Sequence, residues 1–558
     1  MTAVAEELVH VLEAAGIERV FGYPGGRVIE LFEHLPESSI DVVRPRDERE
    51  ASVMAEAHGR VTGEPAVLMG QGPWIGSLGG IGQMEARLGS SPMLVLTEAS
   101  ERGDYSTIAP YQQARGDYGG LDLPSILEGI TKEHWFPRTP TETVRSVQLA
   151  IKHAVAGRPG PTAVILDGKA VAEDVPADPI PPVWETEDQT RAWQSRPTNG
   201  DVKAAVEALA SAARPTIIAG NGVHAAGAYD DLADVAETYG AVVTTSYLGK
   251  STIAETHPLA GGVIGSFGHE GANQAVSDAD VLLVVGCRLN PMDTNWQAPD
   301  FIQPGKQTII HADVDARNAG WVYPADIGLI GDAAESLATL AEGAEARAAE
   351  ARDSFTSRAC RSDASPIKPQ RAAKEIEAVV DAKTVVTADS GNNRFWLLNY
   401  LQTPAIRTYF GSGGVGGMGW ANPAAVSIAL ATGRDVIAVA GDGGFAMTMT
   451  SVETAVEHGV APTFVILNDT SLGMVRQMQH EDGDIAGVEF HDTDFVIAAE
   501  AFGADGIRVD TPDALADALR EGKRSATPLV IDTRIDRDED MAEQLQSSFY
   551  ASVGGLHE

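Results

Sequence analysis

The chain has 558 residues, enough for roughly three or four domains of ordinary size. Asp and Glu number 79 against 41 Lys and Arg, a formal net charge of -38; such a surface repels nucleic acid and anionic lipid, so neither is expected as a partner. The acid is spread along the whole chain rather than gathered in a tail, which suits molar salt, where self-repulsion is screened, and points to a halophilic cell.

No apolar run reaches the length of a membrane span, and the N-terminus Met1-Thr2-Ala3-Val4-Ala5-Glu6-Glu7 lacks the basic and apolar regions of a signal peptide. A cytoplasmic location is therefore expected. The two cysteines, Cys287 and Cys360, make neither a disulfide framework nor a zinc site and read as reduced thiols.

The elements form three alternating α/β blocks. The first, 1–174, opens with the helical pattern Ala5-Leu8-Val9-Leu12 and the strand-like Arg19-Val20-Phe21-Gly22, followed by apolar runs at Ala66-Met69, Met93-Leu96 and Ala163-Leu166. Continuous apolar runs between helical segments predict a buried parallel sheet. Residues 175–201, rich in Pro, Glu, Asp and Trp and without periodicity, read as a linker. The second block, 190–345 at its widest, offers strands at Thr216-Ala219, Ala241-Thr244, Val281-Val285 and Thr308-Ile310. A helix decaying into Ser/Pro-containing coil over 344–368 reads as a second linker. The third block, 366–550, offers Thr384-Thr387, Val436-Ala440, Thr463-Leu467 and Leu529-Asp532. The expected fold is α/β, with three doubly wound parallel-sheet domains.

The third block carries the chemistry. Strand Val436–Ala440 runs into Gly441-Asp442-Gly443-Gly444, a helix is expected over Thr448–His458, and strand Thr463–Leu467 ends in Asn468-Asp469-Thr470-Ser471-Leu472-Gly473. Ligands of parallel sheets bind outside the carboxyl ends of strands. If the two strands are neighbours, Asp442 and Asp469 converge, and two carboxylates with a loop carbonyl suit Mg²⁺ completed by phosphate oxygens and water. The glycines let backbone N–H groups approach a phosphate.

This arrangement resembles the thiamine-diphosphate motif of acetolactate synthases, pyruvate oxidases and 2-keto acid decarboxylases. The resemblance implies thiamine diphosphate and Mg²⁺, with metal ligands Asp442, Asp469 and the Ser471 carbonyl; the family usually has Asn where this chain has Asp469. It implies that Met418, in Gly411–Gly419, props the cofactor into a bent shape, that Gly416 contacts its aminopyrimidine, and that the loop Asp389-Ser390-Gly391-Asn392-Asn393, with Asn-Asn where the family usually has Gln-His, holds the diphosphate through Gly391, Asn392 and Asn393, with Leu472, Gly473 and Met474 completing the wall. Met54-Ala55-Glu56 and Arg60 match the acid-bearing helix, which makes Glu48 the carboxylate that assists the pyrimidine ring. Glu50 and Glu56 read as exposed helix charges. Val20–Gly26 and Tyr111-Gln112 are also similar to acetolactate synthases, and Gln112 is expected to face the substrate. The family's Ser-Gly-Pro-Gly loop is Gln71-Gly72-Pro73-Trp74 here, and its Trp after Gln477 is Met478, which leaves the substrate open.

The resemblance implies a 2-keto acid substrate such as pyruvate, decarboxylated and joined to a second keto acid. A homodimer or homotetramer is expected, with the cofactor between subunits and a small regulatory subunit as a further partner. FAD in the central domain is implied by Gly265–Gly271, Arg288 and Asp313, against a plain structural domain, since Asn290–Asp293 departs from the flavin pattern. The rival readings are a simple decarboxylase, another lyase or hydrolase of the same cofactor, and a non-catalytic homologue.

Overall fold

The computed structural model describes residues 2–100, 112–116, 119–342, 355–482 and 485–541. Tyr111 and part of the second linker lie outside them. The chain divides into two compact units. The first is Met1–Trp193 with Gly414–Gly417 and Val426–Ala431; the second holds the remainder.

The first unit is built on six parallel strands: β1 (Arg19–Gly22), β2 (Asp41–Val43), β3 (Ala66–Gln71), β4 (Met93–Glu98), β5 (Glu133–Trp135) and β6 (Pro161–Leu166), in the order β2-β1-β3-β4-β6-β5. The strands β4 and β6 are buried at every position, as expected of a parallel sheet covered on both faces. Helix Glu48–Thr62 follows β2 and crosses helix Gly80–Gly89 at close range. A glycine allows that approach: a Cβ at Gly82 would lie 2.2 Å from the Ser52 carbonyl carbon, while Gly59 likewise admits the loop after the second helix, where a Cβ would lie 2.0 Å from Pro92 O.

The second unit holds two more six-stranded parallel sheets. Strands β7 (Pro215–Ala219), β8 (Val242–Thr245), β9 (Ala260–Val263), β10 (Val281–Val285), β11 (Thr308–Asp313) and β12 (Ile327–Ile330) run β12-β11-β10-β7-β8-β9, the dinucleotide-fold order. Strands β13 (Thr384–Ala388), β14 (Tyr409–Gly411), β15 (Asp435–Gly441), β16 (Thr463–Asn468), β17 (Asp505–Val509) and β18 (Leu529–Arg534) run β14-β13-β15-β16-β18-β17. A cluster of apolar side chains, among them Trp396, Phe395, Val439 and Ile531, buries one face of this sheet; each such side chain removed from water contributes about 1.5–3 kcal/mol. Lys250 and Glu255, a fully buried ion pair at 2.6 Å, sit beside this sheet, where Glu255 also accepts the Thr403 N–H at 2.7 Å.

Three α/β sheets were expected and three are present. Two local expectations differ. The helix expected over Thr448–His458 is present but shorter, as Ser451–Glu457, and an unexpected short helix, Asp442–Met447, precedes it at the Gly-Asp-Gly turn. The stretch 175–201 read as linker contains helix Thr186–Thr190 and the start of helix Asn199–Ser211. In the second case the side chain of Thr198 caps the helix by accepting from Asp201 N, a signal that the Pro-rich composition masked.

Candidate active site

Strand β15 lies between β13 and β16, with Val439 opposite Ala388 and Gly441 opposite Leu467. The order of the chain reverses between β13 and β15, which makes that edge a switch point where loops part and leave a crevice. Turns 389–392, 441–444 and 469–473 all leave the carboxyl edge there.

Local chemistry shapes each turn. Gly391 has φ +113°, a conformation that side chains resist. Asn468 Oδ1 accepts the Thr470 N–H at 3.1 Å, and Asp469 Oδ1 accepts the Ser471 N–H at 3.0 Å, two successive Asx turns. They fold the chain back so that Leu472 N–H donates to Val488 O at 2.8 Å and Phe490 N–H to Thr470 O at 2.9 Å. Gly473 is needed because a Cβ there would lie 2.4 Å from Asp469 Oδ2. Asp389, fully buried at the end of β13, accepts from Gly419 N–H at 2.9 Å and Trp420 N–H at 3.0 Å. It also abuts Gly444, where a Cβ would lie 2.1 Å from its Oδ2.

These turns line a cavity of about 200 Å³. Of the residues singled out from the sequence, Gly391, Asn392, Asn393, Met418, Gly441, Asp442, Gly443, Gly444, Asp469, Ser471, Leu472, Gly473 and Met474 are on its wall. Met418 reaches Gly443, where a Cβ would lie 3.2 Å from its Cε. Burial, then the charge of Asp469, pushes the Asp442 carboxyl up to about 7. Burial also raises Asp469, opposed by hydrogen bonds from Ser471 and by the Arg537 and Arg476 charges. A buried acid whose ionisation is disfavoured by a second carboxylate beside it is what a divalent cation relieves. Asn392 Oδ1 is buried without a hydrogen-bond partner among the described residues, while its Nδ2 donates to Gln477 Oε1 at 3.0 Å. Among the described residues no cluster of three or more His, Cys, Asp or Glu forms a metal cage. The donor set therefore suits a hard cation that takes its remaining ligands from phosphate and water. Sequence reasoning missed Asp389 as a clamp and Gln477 as a wall residue; the place of Asp389 at a strand end was the available signal.

Three predicted residues lie in the first unit. Glu48 starts helix Glu48–Thr62, whose N-cap Asp47 accepts the Glu50 N–H at 2.9 Å. It is half-buried, and burial together with the neighbouring Asp47 raises its carboxyl above the usual range. Gln112, at φ +52°, is exposed and accepts from Gln71 Nε2 at 3.4 Å. The N–H of Gly416 donates to Glu85 Oε2 at 3.2 Å. Glu50 and Glu56 are not exposed helix charges: both are buried, and Glu56 accepts from Arg60 Nε and Ser91 Oγ, each at 2.7 Å. Their spacing alone carries no sign of the packing that buries them.

Three parallel sheets, with a glycine-walled acidic pocket at the switch point of the last, are the frame of a cofactor-dependent α/β enzyme. The comparisons agree: family models described as thiamine pyrophosphate enzyme N-terminal TPP binding, central and C-terminal TPP binding domains match residues 2–119, 202–340 and 389–533. The chain is 31% identical to a probable acetolactate synthase large subunit of Methanocaldococcus jannaschii over 95% of its own length and 92% of the relative. It is 29% identical to the acetolactate synthase isozyme 3 large subunit of Escherichia coli over 97% and 96% of the two chains. The chain belongs to the thiamine pyrophosphate enzyme family, among the acetolactate synthase large subunits, and is a thiamine-diphosphate-dependent enzyme.

Proposed function

We propose that the chain decarboxylates pyruvate or a close 2-keto acid and joins the two-carbon remainder to a second 2-keto acid, as an acetolactate synthase does. The observation that carries this is the pair of carboxylates, buried Asp442 and half-buried Asp469, on adjacent strand ends of a glycine-walled pocket. In this reading Asp442, Asp469 and the Ser471 carbonyl hold Mg²⁺, and the glycine turns and Asn392 receive the diphosphate. When bound, thiamine diphosphate supplies the electron sink for loss of CO₂. Met418 supports the cofactor's bend. Glu48 keeps a proton at the pyrimidine nitrogen; its raised carboxyl, half-buried at a helix start, suits such exchange. Gln112 contacts substrate.

The pocket is below the roughly 300–1,000 Å³ of a site enclosing a drug-sized ligand, which supports its taking one end of the cofactor. The other end then requires Glu48 of a second copy, so a homodimer is the active form, with a tetramer as its doubling. The domain division is 1–174, 190–345 and 366–550. The relatives' designation as large subunits supports a small regulatory partner. FAD is left out of the proposal: Asp293 accepts from Tyr247 N–H and Asn290 Nδ2, and Asp313 from Asp315 N–H and Asn318 Nδ2, so both acids are engaged by protein groups.

The test is to incubate the protein with thiamine diphosphate, Mg²⁺ and pyruvate in molar KCl and identify products. Acetolactate is expected. Acetaldehyde alone would favour the simple decarboxylase, and absence of product with every keto acid tried would sink the catalytic reading.

A further inference from the structure

Within the first unit, one buried charge cluster holds a loop through three successive backbone N–H groups. Glu85, on helix Gly80–Gly89, is 2% exposed. Its Oε1 meets Arg60 Nη2 at 2.8 Å and accepts the Gly414 N–H at 2.7 Å, and its Oε2 accepts from Val415 N–H at 2.8 Å and Gly416 N–H at 3.2 Å. Arg60 also pairs with the buried Glu56. Burial opposes the Arg60 charge, yet the two carboxylates outweigh it and raise its affinity for the proton. Glu85 carries charge in the interior. That is unfavourable unless dipoles face it, and the backbone of 414–416 supplies them. The loop offers little else: two of its three residues are glycine, and Val415 is 44% exposed.

We propose that Glu85 is a positioning residue of the cofactor site. It fixes the backbone of Gly414–Gly416 in the conformation that receives the pyrimidine ring, with Arg60 as its counter-charge. This rests on the functional reading above, which puts Gly416 against that ring. The arrangement also ties the loop to helix Glu48–Thr62, which carries Glu48 at its start and Arg60 in its last turn. One rigid helix, about 18 Å between these two positions at 1.5 Å per residue, thus bears both the proton-handling acid and the support of the loop.

The test compares wild type with Glu85→Gln, Gly414→Ala and the control Leu12→Ala. The last truncates a fully buried side chain elsewhere in the unit. A Cβ at Gly414 would lie 2.7 Å from Glu85 O and 2.9 Å from Gly89 N, so this variant unseats the loop while leaving the charges in place. The readouts are amide hydrogen exchange at Gly414–Gly416 without cofactor, thiamine-diphosphate affinity with Mg²⁺, and the near-ultraviolet circular dichroism of the bound pyrimidine. Glu85→Gln is expected to speed loop exchange and weaken cofactor binding, each by about 10- to 100-fold, with an altered dichroism band; Leu12→Ala should lower only the melting temperature. Faster exchange with unchanged affinity and dichroism would overturn the positioning role, as would equal loss in Leu12→Ala. If Glu85→Gln does not fold, unchanged affinity in Gly414→Ala overturns the proposal. A wild-type protein that binds no thiamine diphosphate refutes the functional reading itself.

Discussion

Gly444→Ala probes the geometry on which the acidic pocket depends. A Cβ at this position would lie 2.1 Å from Asp389 Oδ2, whereas real contacts of this kind begin near 3.0 Å, so something must yield by roughly 1 Å. Asp389 cannot retreat without loss: it is fully buried and holds the N–H groups of Gly419 and Trp420. Giving up one such bond to a charged acceptor costs about 1.5–3 kcal/mol. The alternative is a shift of helix Asp442–Met447, at an overpacking cost of about 1–3 kcal/mol. That shift moves Asp442 relative to Asp469, and Mg²⁺ requires near-ideal ligand geometry. Either route predicts a loss of about 1–3 kcal/mol in stability and about 10- to 100-fold weaker Mg²⁺-dependent cofactor binding, measured by thermal unfolding and by calorimetric titration with thiamine diphosphate at fixed Mg²⁺. Unchanged melting together with unchanged affinity would refute the placement of Asp442 against this clamp.

Other perturbations separate the remaining roles. Glu48→Gln should abolish turnover while thiamine-diphosphate binding stays near wild type; retained turnover would remove Glu48 from the mechanism. Lys250→Met leaves Glu255 charged and buried, and should destabilise the protein by about 3–5 kcal/mol in denaturant titrations, with much of this recovered by the double variant Lys250→Met/Glu255→Leu. Asp293 is raised by burial to about 7. The folded state therefore holds its proton where the unfolded state has released it, so this group makes stability fall as pH rises from about 4 to 7. Asp293→Asn should flatten that slope and gain most over wild type at pH 8, by on the order of 4 kcal/mol; parallel stability curves for the two proteins would count against the shift.

The sequence was most legible at the centre of each sheet. All twelve strands read from apolar runs are present, and the six that went unread, β2, β5, β9, β12, β14 and β17, are the edge strands. Edge positions pair on one side only, so short or mixed segments such as Glu133–Trp135 suffice there and leave little pattern. The acidic pocket was legible for a different reason: glycine and Asx residues at strand ends must shape turns, and parallel topology brings consecutive ends together. Glu85 was not legible. In Met84-Glu85-Ala86-Arg87 it reads as an ordinary helix charge, and its backbone partners lie about 330 residues further on. The burial of Glu50 and Glu56 escaped for the same reason, because no local signal announces long-range packing.

The strand order of the first sheet recurs in the third. Corresponding tips can therefore be compared as though one scaffold had been used twice. At the tip of β16, Asp469 lines a cavity; at the equivalent tip of β4, the acid is Glu98, turned inward onto the Ser100 N–H and hydroxyl, both at 2.6 Å. After β15 the turn presents a carboxylate and glycines; after β3 it presents Gln71, glycine and proline. The same strand order thus ends in one tip whose acid faces a cavity and another whose acid is held by its own loop, and exchanging the two turns would be a direct way to ask how few residues separate them.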